Sequence, residues 1–375
     1  MSKIIAGGKA RFARHPRIQH QDDPHPERVV EIASHTFQSA DKSAHSTKRL
    51  VCTGAVPALL FEKTIIQNQT GDFHLVNPKQ FIAPPNKRFR FADHDPDFTA
   101  EFQSEEESTE IANETKENLA RLQDIFFAHK DHAVLMLFQA MDSAGKDDTI
   151  KHVLSSMDPQ GCTATTFDEP SKKELKHDYL WRYVQALPEA GQIGIFNRSF
   201  YEQVTAERIH PDKLTEWKLS AAAEGGDKLW VRRYQEINNF ESYLAANGIT
   251  LLKCFLHISK RKQAERLFER TELTEKKWKF SLTDLEDRRL WARYSKVYEE
   301  VINRTSTRSA PWYIIPANHR WFTRAVISSL ILETFKGLHS RYPIPDKEQK
   351  RDLSKAQTLL KKELRPARHP RARSD

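Results

Sequence analysis

The clearest signal along the chain is a set of short, largely apolar runs separated by amphipathic stretches. Ala133 to Phe138 (AVLMLF), Ile193 to Phe196 (IGIF), Ile249 to Ile258 (ITLLKCFLHI) and Trp312 to Pro316 (WYIIP) read as strands buried on both faces, as in a parallel sheet. Residues 104–130 open with the acidic SEEESTE, which suits a helix N-terminus, and carry Ile111, Leu119, Leu122, Ile125 and Phe126 at roughly helical spacing. Further helices are expected at about 146–157, 228–246, 260–271, 284–304 and 318–337. Ser171 with Glu174 forms a capping-box pattern that predicts another helix to about Ala186. Residues 55–98 hold only short β-like pieces, Phe61 to Gln67 and Phe73 to Val76, and a Pro84-Pro85 loop. They are expected as an irregular extension packed on the body. Strand–helix alternation with continuous apolar strands means α/β with a parallel sheet, where ligands bind beyond the strand carboxyl ends.

Composition narrows the class. Of 375 residues, 38% are hydrophobic and 29% charged, a globular balance. No apolar run approaches a bilayer span, and none at the N-terminus suits a secretory signal, so no membrane association is expected. Cys52, Cys162 and Cys254 are scattered and odd in number, which excludes a disulfide framework and zinc spacing and fits the cytoplasm. The net charge of +8 resides in the ends. Residues 1–50 hold nine Lys/Arg against five Asp/Glu, and residues 343–375 hold ten against five. The body is near neutral, so specific nucleic-acid binding is not expected and any basic site there is local. The expected organisation is a disordered basic arm (1–50), an irregular extension (51–103), the α/β body (104–342), and a charged helix with a basic tail (343–375).

Three strand ends carry candidate chemistry. After Phe138 comes QAMDSAGKDDTI: a strand, a small-residue loop with Gly145-Lys146, then a helix with Asp147 and Thr149. In that setting amides at a helix start and a mobile lysine suit phosphate oxygens, and Asp142 can hold Mg2+ through oxygen. The usual first glycine of a phosphate loop is Ala140 here, and an ordinary turn is the competing reading. After Phe196, Asn197 and Arg198 fall at a strand end, with Glu202 on the next turn and Arg208 beyond. The arginine there can grip phosphate oxygens, and Glu202 can assist a metal or nucleophile. After Ile258, residues 260–279 carry eight Lys/Arg against four Glu, including Arg266, Arg270, Lys277 and Lys279. This suits either an anion-closing lid or a solvated helix face.

Five ordered blocks carry a family resemblance: MDSAGKDDTIKHVLSSMDPQGC (141–162), EPSKKELKHDYLWR (169–182), IGIFNRSFYEQV (193–204) with ERIHP (207–211), WKFSLTDLEDRRLWARY (278–294) and TSTRSAPWYIIPANHRWFTR (305–324). Together they resemble the polyphosphate kinase 2 family, in its Asn-Arg-Ser branch that uses nucleoside mono- and diphosphates. The resemblance implies a P-loop kinase-like parallel sheet flanked by helices, with a basic helical lid. It implies a polyphosphate:nucleotide phosphotransferase acting on AMP or ADP with Mg2+, and self-association as a homo-oligomer. By the same resemblance Asp142 (metal and catalysis), Lys146 and Arg198 are catalytic, and Arg208, Arg266, Arg270, Lys277 and Lys279 hold phosphates. Glu202 joins the catalytic set, and Gly145, Asp147, Thr149 and Asn197 the phosphate-binding set. Two departures stand out. Asp148 adds a charge at the helix start, and Gln203 replaces an acid the branch normally carries. The alternative reading is a polyanion-binding protein on the same fold, its turnover impaired by these changes.

Overall fold

The computed structural model describes residues 76–102, 104–218 and 226–364, with the side chains of 108–114 and 279 excepted. The expected pieces at 61–67 and most of 73–76, and the arm at 1–50, lie outside the described residues.

Among the described residues six strands form one sheet: β1 (Ile82–Ala83), β2 (Ala133–Ala140), β3 (Cys162–Thr166), β4 (Ile193–Asn197), β5 (Ile249–His257) and β6 (Trp312–Pro316), in spatial order β1-β6-β5-β2-β4-β3. The last five are parallel, and β1 runs antiparallel on the edge of β6. β2 is buried at all eight positions, Gln139 included, as suits a central strand covered on both faces. The α/β class with a P-loop kinase-like parallel sheet is therefore present.

The sheet is flanked by α1 (Glu105–His129), α2 (Lys146–Ser155), α3 (Trp181–Val184), α4 (Ala206–Ile209), α5 (Asp227–Ala246), α6 (Lys260–Glu272), α7 (Leu282–Arg289), α8 (Trp291–Thr305) and α9 (Arg320–Gly337). A further helix, α10 (Lys347–Glu363), follows. Right-handed crossovers put α2 on one face and the helices between β4 and β6 on the other. Contacts agree: α1 and α2 pack on α9, whereas α5 packs on α8 and β5. Ser104 caps α1 by accepting the Glu107 amide, three glutamates occupy its first turn, and Lys130 ends it at φ 56°. Phe126 then packs on Phe335 of α9, ring centroids 5.2 Å apart.

Residues 76–102 are woven into the body. Phe81, Ala83 and Phe89 are buried in the core. Asn303 of α8 accepts the Phe89 amide (2.8 Å) and donates to its carbonyl (2.9 Å), and Glu299 accepts the Phe91 amide (2.8 Å).

Three expectations need correction. The helix expected over 171–186 is broken into a 3-10 turn at Glu174–Lys176 and the single turn α3. The capping box forms, with reciprocal bonds of 2.7 and 3.3 Å between Ser171 and Glu174. His177 then goes extended, and Asp178 starts a new turn by accepting the Leu180 amide at 2.9 Å. The helix expected at 284–304 is two helices divided at Leu290, which leaves helical ψ. Strand β3 was not anticipated: its sequence, CTATT, is polar and half-exposed at the sheet edge.

Candidate active site

β2 has β4 on one side and β5 on the other, and the chain leaves its carboxyl end toward β3 but later returns to β5. That is the switch point at which such sheets open a crevice. Residues 141–145 fill it and lead into α2.

The loop's shape comes from two left-handed residues, Ser143 (φ 60°) and Gly145 (φ 103°). A Cβ at Gly145 would lie 3.4 Å from Arg266 Nη1 and would add strain at that φ. α6 holds the loop from behind. Gln263 Nε2 donates to the Asp142 carbonyl (3.0 Å). Arg266 donates to the carbonyls of Ser143 (3.3 Å) and Ala144 (2.7 Å), and to those of Ala317 (2.7 Å) and Asn318 (3.1 Å) after β6. Three successive loop carbonyls are thus engaged by α6, leaving the amide side of the loop for an anion. Arg266 is buried, and that burial, with Arg320 nearby, pushes its guanidinium down to about 10. It braces the loop instead of covering it, which corrects its assignment to a lid.

Lys146 begins α2, half-buried, its Nζ 3.5 Å from the Ala140 carbonyl oxygen. Loss of water pulls its ammonium below the ordinary value, opposed by Asp142. Arg198 sits one residue past β4 at φ 63°, its amide donating to the Phe138 carbonyl at 3.2 Å. Burial works against its charge, but Glu202, Asp142 and Asp168 more than offset this and raise its pKa. Glu202 Oε1 accepts from the Gln139 amide nitrogen (3.0 Å), whose oxygen in that orientation faces the Ser199 hydroxyl and amide, each at 3.0 Å. Asp142, Lys146, Arg198 and Glu202 line one cleft of about 370 Å3, with His210 and Tyr294 on its far wall.

The other candidates divide. Asn197 Nδ2 donates to Asp147 Oδ1 (2.9 Å), so this pair fastens β4 to α2. Thr149 is buried on α2 and lies outside the cleft lining. Arg208 is turned onto α5 and α8, where it donates to Tyr234 (2.7 Å) and pairs with Glu300 (3.0 Å), and it too lies outside that lining. Arg270 pairs with Asp284 at 3.3 Å. Lys277 is exposed beside Trp278, which is 76% exposed; the Lys279 side chain is not among those described. Asp148 turns away from the loop to Arg324 of α9, at 2.8 Å, so its charge is answered there.

Sequence reasoning missed Gln263 and the His210–Asp287–Tyr294 cluster. Asp287 Oδ1 lies 3.0 Å from His210 Nε2 and 3.3 Å from the Tyr294 hydroxyl, joining α7 to the turn after α4. A smaller cavity adjoins the cleft, sharing Arg198 and Glu202 and lined also by Gln203, Arg182 and Tyr183. Gln203 is buried there, and its Oε1 has no hydrogen-bond partner among the described residues.

Comparison with known proteins bears on this cleft. The family model described as polyphosphate kinase 2 matches residues 101–342. An ADP-polyphosphate phosphotransferase of Rhodopseudomonas palustris is 43% identical over 261 residues, covering 69% of this chain and 90% of that protein. An AMP/ADP-polyphosphate phosphotransferase of Meiothermus ruber is 42% identical over 269 residues, covering 72% and 96%. The crystal structure of polyphosphate kinase 2 from Arthrobacter aurescens superposes with a TM-score of 0.69 at 33% identity, covering 77% of this chain and 98% of that one. With the family model matching well over half of the chain, and relatives above 40% identity covering more than two thirds of it, the chain belongs to the polyphosphate kinase 2 family.

Proposed function

We propose that the chain transfers a phosphoryl group between inorganic polyphosphate and a nucleoside mono- or diphosphate. The observation that carries this reading is the meeting of Lys146 and Arg198 with Asp142 and Glu202 at the adjacent ends of β2 and β4. Phosphoryl transfer asks a protein for positioning and charge neutralisation more than for an elaborate nucleophile. Lys146, short of water, gains more from a phosphate oxygen than an exposed lysine would. Arg198, held charged by the carboxylates around it, supplies a planar donor fork. The loop amides complete an anion cradle braced by Arg266.

The family implies a divalent metal. Among the described residues no group of three or more His, Cys, Asp or Glu could hold a metal by itself. Mg2+ takes one or two carboxylates and completes its shell with substrate phosphates and water. Asp142 and Glu202 are the residues that would hold it, and the ion would supply charge neutralisation on the phosphates.

No observation favours an impaired binding protein: Asp148 is paired with Arg324, and Gln203 lies outside the loop. Among the described residues no helix is long and apolar enough to cross a membrane. A reaction on free nucleotides supports a cytoplasmic location on this reading, and the family resemblance supports self-association as a homo-oligomer. The test is an acceptor panel of AMP, ADP, GMP and GDP with polyphosphate and Mg2+. Phosphorylation of at least one adenine acceptor, abolished by chelation, is expected; no transfer to any acceptor overturns the reading.

Gln203 offers a test of acceptor choice. Gln203→Asp places a carboxylate in a buried cavity beside Glu202 and Glu207, with Arg182 nearby. The added charge acts on acceptor phosphates arriving from that side, so the ratio of kcat/KM for AMP and ADP should change severalfold while overall activity changes less. The check is both ratios at matched Mg2+; an unchanged ratio makes position 203 a bystander.

A further inference from the structure

α10 lies past the family match, which ends at residue 342. Its formation is encoded locally. Asp346 accepts the Gln349 amide at 2.8 Å and Gln349 returns a bond to the Asp346 amide at 3.2 Å, a full capping box. Every residue from 347 to 364 is exposed, so packing on the body does not account for the helix.

Its charges are sorted by direction. At 3.6 residues per turn, Lys347, Lys350, Arg351, Lys355, Lys361 and Lys362 fall within one arc of about 140°. Glu348, Asp352 and Glu363 all fall outside it, as do Leu353, Ala356 and Leu360. The cations therefore recur along one side of a rod about 25 Å long, whose turns are spaced roughly 5.4 Å apart. The acidic contacts to this side are loose: Arg351 lies 3.8 Å from Glu348, and Lys355 3.6 Å from Asp352, with all four side chains more than 60% exposed. Four more arginines follow in sequence, Arg365, Arg368, Arg371 and Arg373. A stripe of cations with no acid among them fits a linear polyanion. A membrane surface fits less well, because Asp352 and Glu363 interrupt the leucine side, between Leu359 and the other leucines, and no aromatic residue lies between 347 and 364.

We propose that the basic face of α10 is a second binding surface for inorganic polyphosphate, separate from the cleft, which tethers long chains while one end is processed. This rests on the proposed function. A donor long enough to touch both places gains effective concentration at the cleft, whereas a donor too short to span them gains nothing. The tether's strength comes from charge neutralisation and falls with salt.

The experiment compares the full chain with a variant carrying Lys347→Gln, Lys350→Gln, Arg351→Gln, Lys355→Gln, Lys361→Gln and Lys362→Gln, which keeps good helix formers throughout. KM and kcat are measured with long-chain polyphosphate and with tripolyphosphate, at low and high salt. Binding of fluorescent long-chain polyphosphate to both proteins is measured separately, without nucleotide. The expected result is a KM for the long chain raised roughly fivefold or more at low salt, with kcat and the tripolyphosphate KM unchanged and the long-chain difference vanishing at high salt. Long-chain binding should weaken in parallel. Equal long-chain KM and binding in the two proteins overturns the proposal. So does an equal loss for both donors, or a loss confined to binding of anionic phospholipid vesicles. If neither protein turns over any donor, the proposed function fails, while the binding comparison still decides the tether.

Discussion

Lys146→Ala lowers turnover at least a hundredfold, about 3 kcal/mol of transition-state stabilisation, while leaving the melting temperature close to that of the unaltered protein. The side chain starts α2 beside the loop, half-buried in the cleft, and among the described residues its hydrogen bond is the 3.5 Å contact with the Ala140 carbonyl. Little of the fold depends on so long a bond, so the loss falls on catalysis. Asp142→Asn carries the same expectation, because it removes the carboxylate that faces Lys146 and Arg198 and would hold the metal. Single-turnover rates with saturating polyphosphate and ADP, read beside thermal melts, make the check. Near-normal turnover in either variant would overturn the site.

Lys253→Ala destabilises the protein by about 3–5 kcal/mol, because it leaves a buried carboxylate unpaired. Lys253 lies in the middle of β5 and is fully buried. Its ammonium donates to Glu241 Oε2 (2.7 Å), the Tyr201 hydroxyl (3.0 Å) and the Thr305 carbonyl (2.6 Å), and Tyr201 donates to Glu241 Oε1 (2.6 Å). Burial pushes the Glu241 carboxyl up and the Lys253 ammonium down, and each opposes the shift of the other. Removing both charges with Lys253→Met and Glu241→Leu should recover much of the loss, since no charge is then stranded. Urea denaturation of the single and double variants measures this. A Lys253→Ala protein as stable as the unaltered one would refute it.

The central strands were legible because burial on both faces leaves no polar position to confuse the pattern. β3 was not, because at the sheet edge its threonines face water. The four cleft residues were legible for a related reason: a buried strand ends abruptly, and the residues just past its carboxyl end sit where a parallel sheet keeps its ligands. Side chains that act across the fold escaped. Arg266 and Arg270 share one helix face in sequence, yet one meets loop carbonyls and the other Asp284. Helical spacing places residues on a face but does not name the neighbour. Arg208 was drawn toward the phosphates by resemblance, whereas locally Glu300, Tyr234 and Trp230 surround it. Nothing within ITLLKCFLHI names the partner of Lys253, since Glu241 belongs to the preceding helix.

The brace behind the phosphate loop limits how the cleft can open and close. Gln263 and Arg266 bolt α6 to the loop and to the turn after β6, and Arg288 at the end of α7 donates back to the Lys260 carbonyl (2.6 Å) and Gln263 Oε1 (2.8 Å). α6 cannot swing without breaking its bonds to the loop, nor α7 without breaking its bonds to α6. The pivots are therefore the extended residues at the two ends of the intervening stretch, Leu273 and Phe280, between which Lys277 and Trp278 lie exposed. A cover formed by this stretch would have a short lever arm, a local flap and not a swing of rigid bodies.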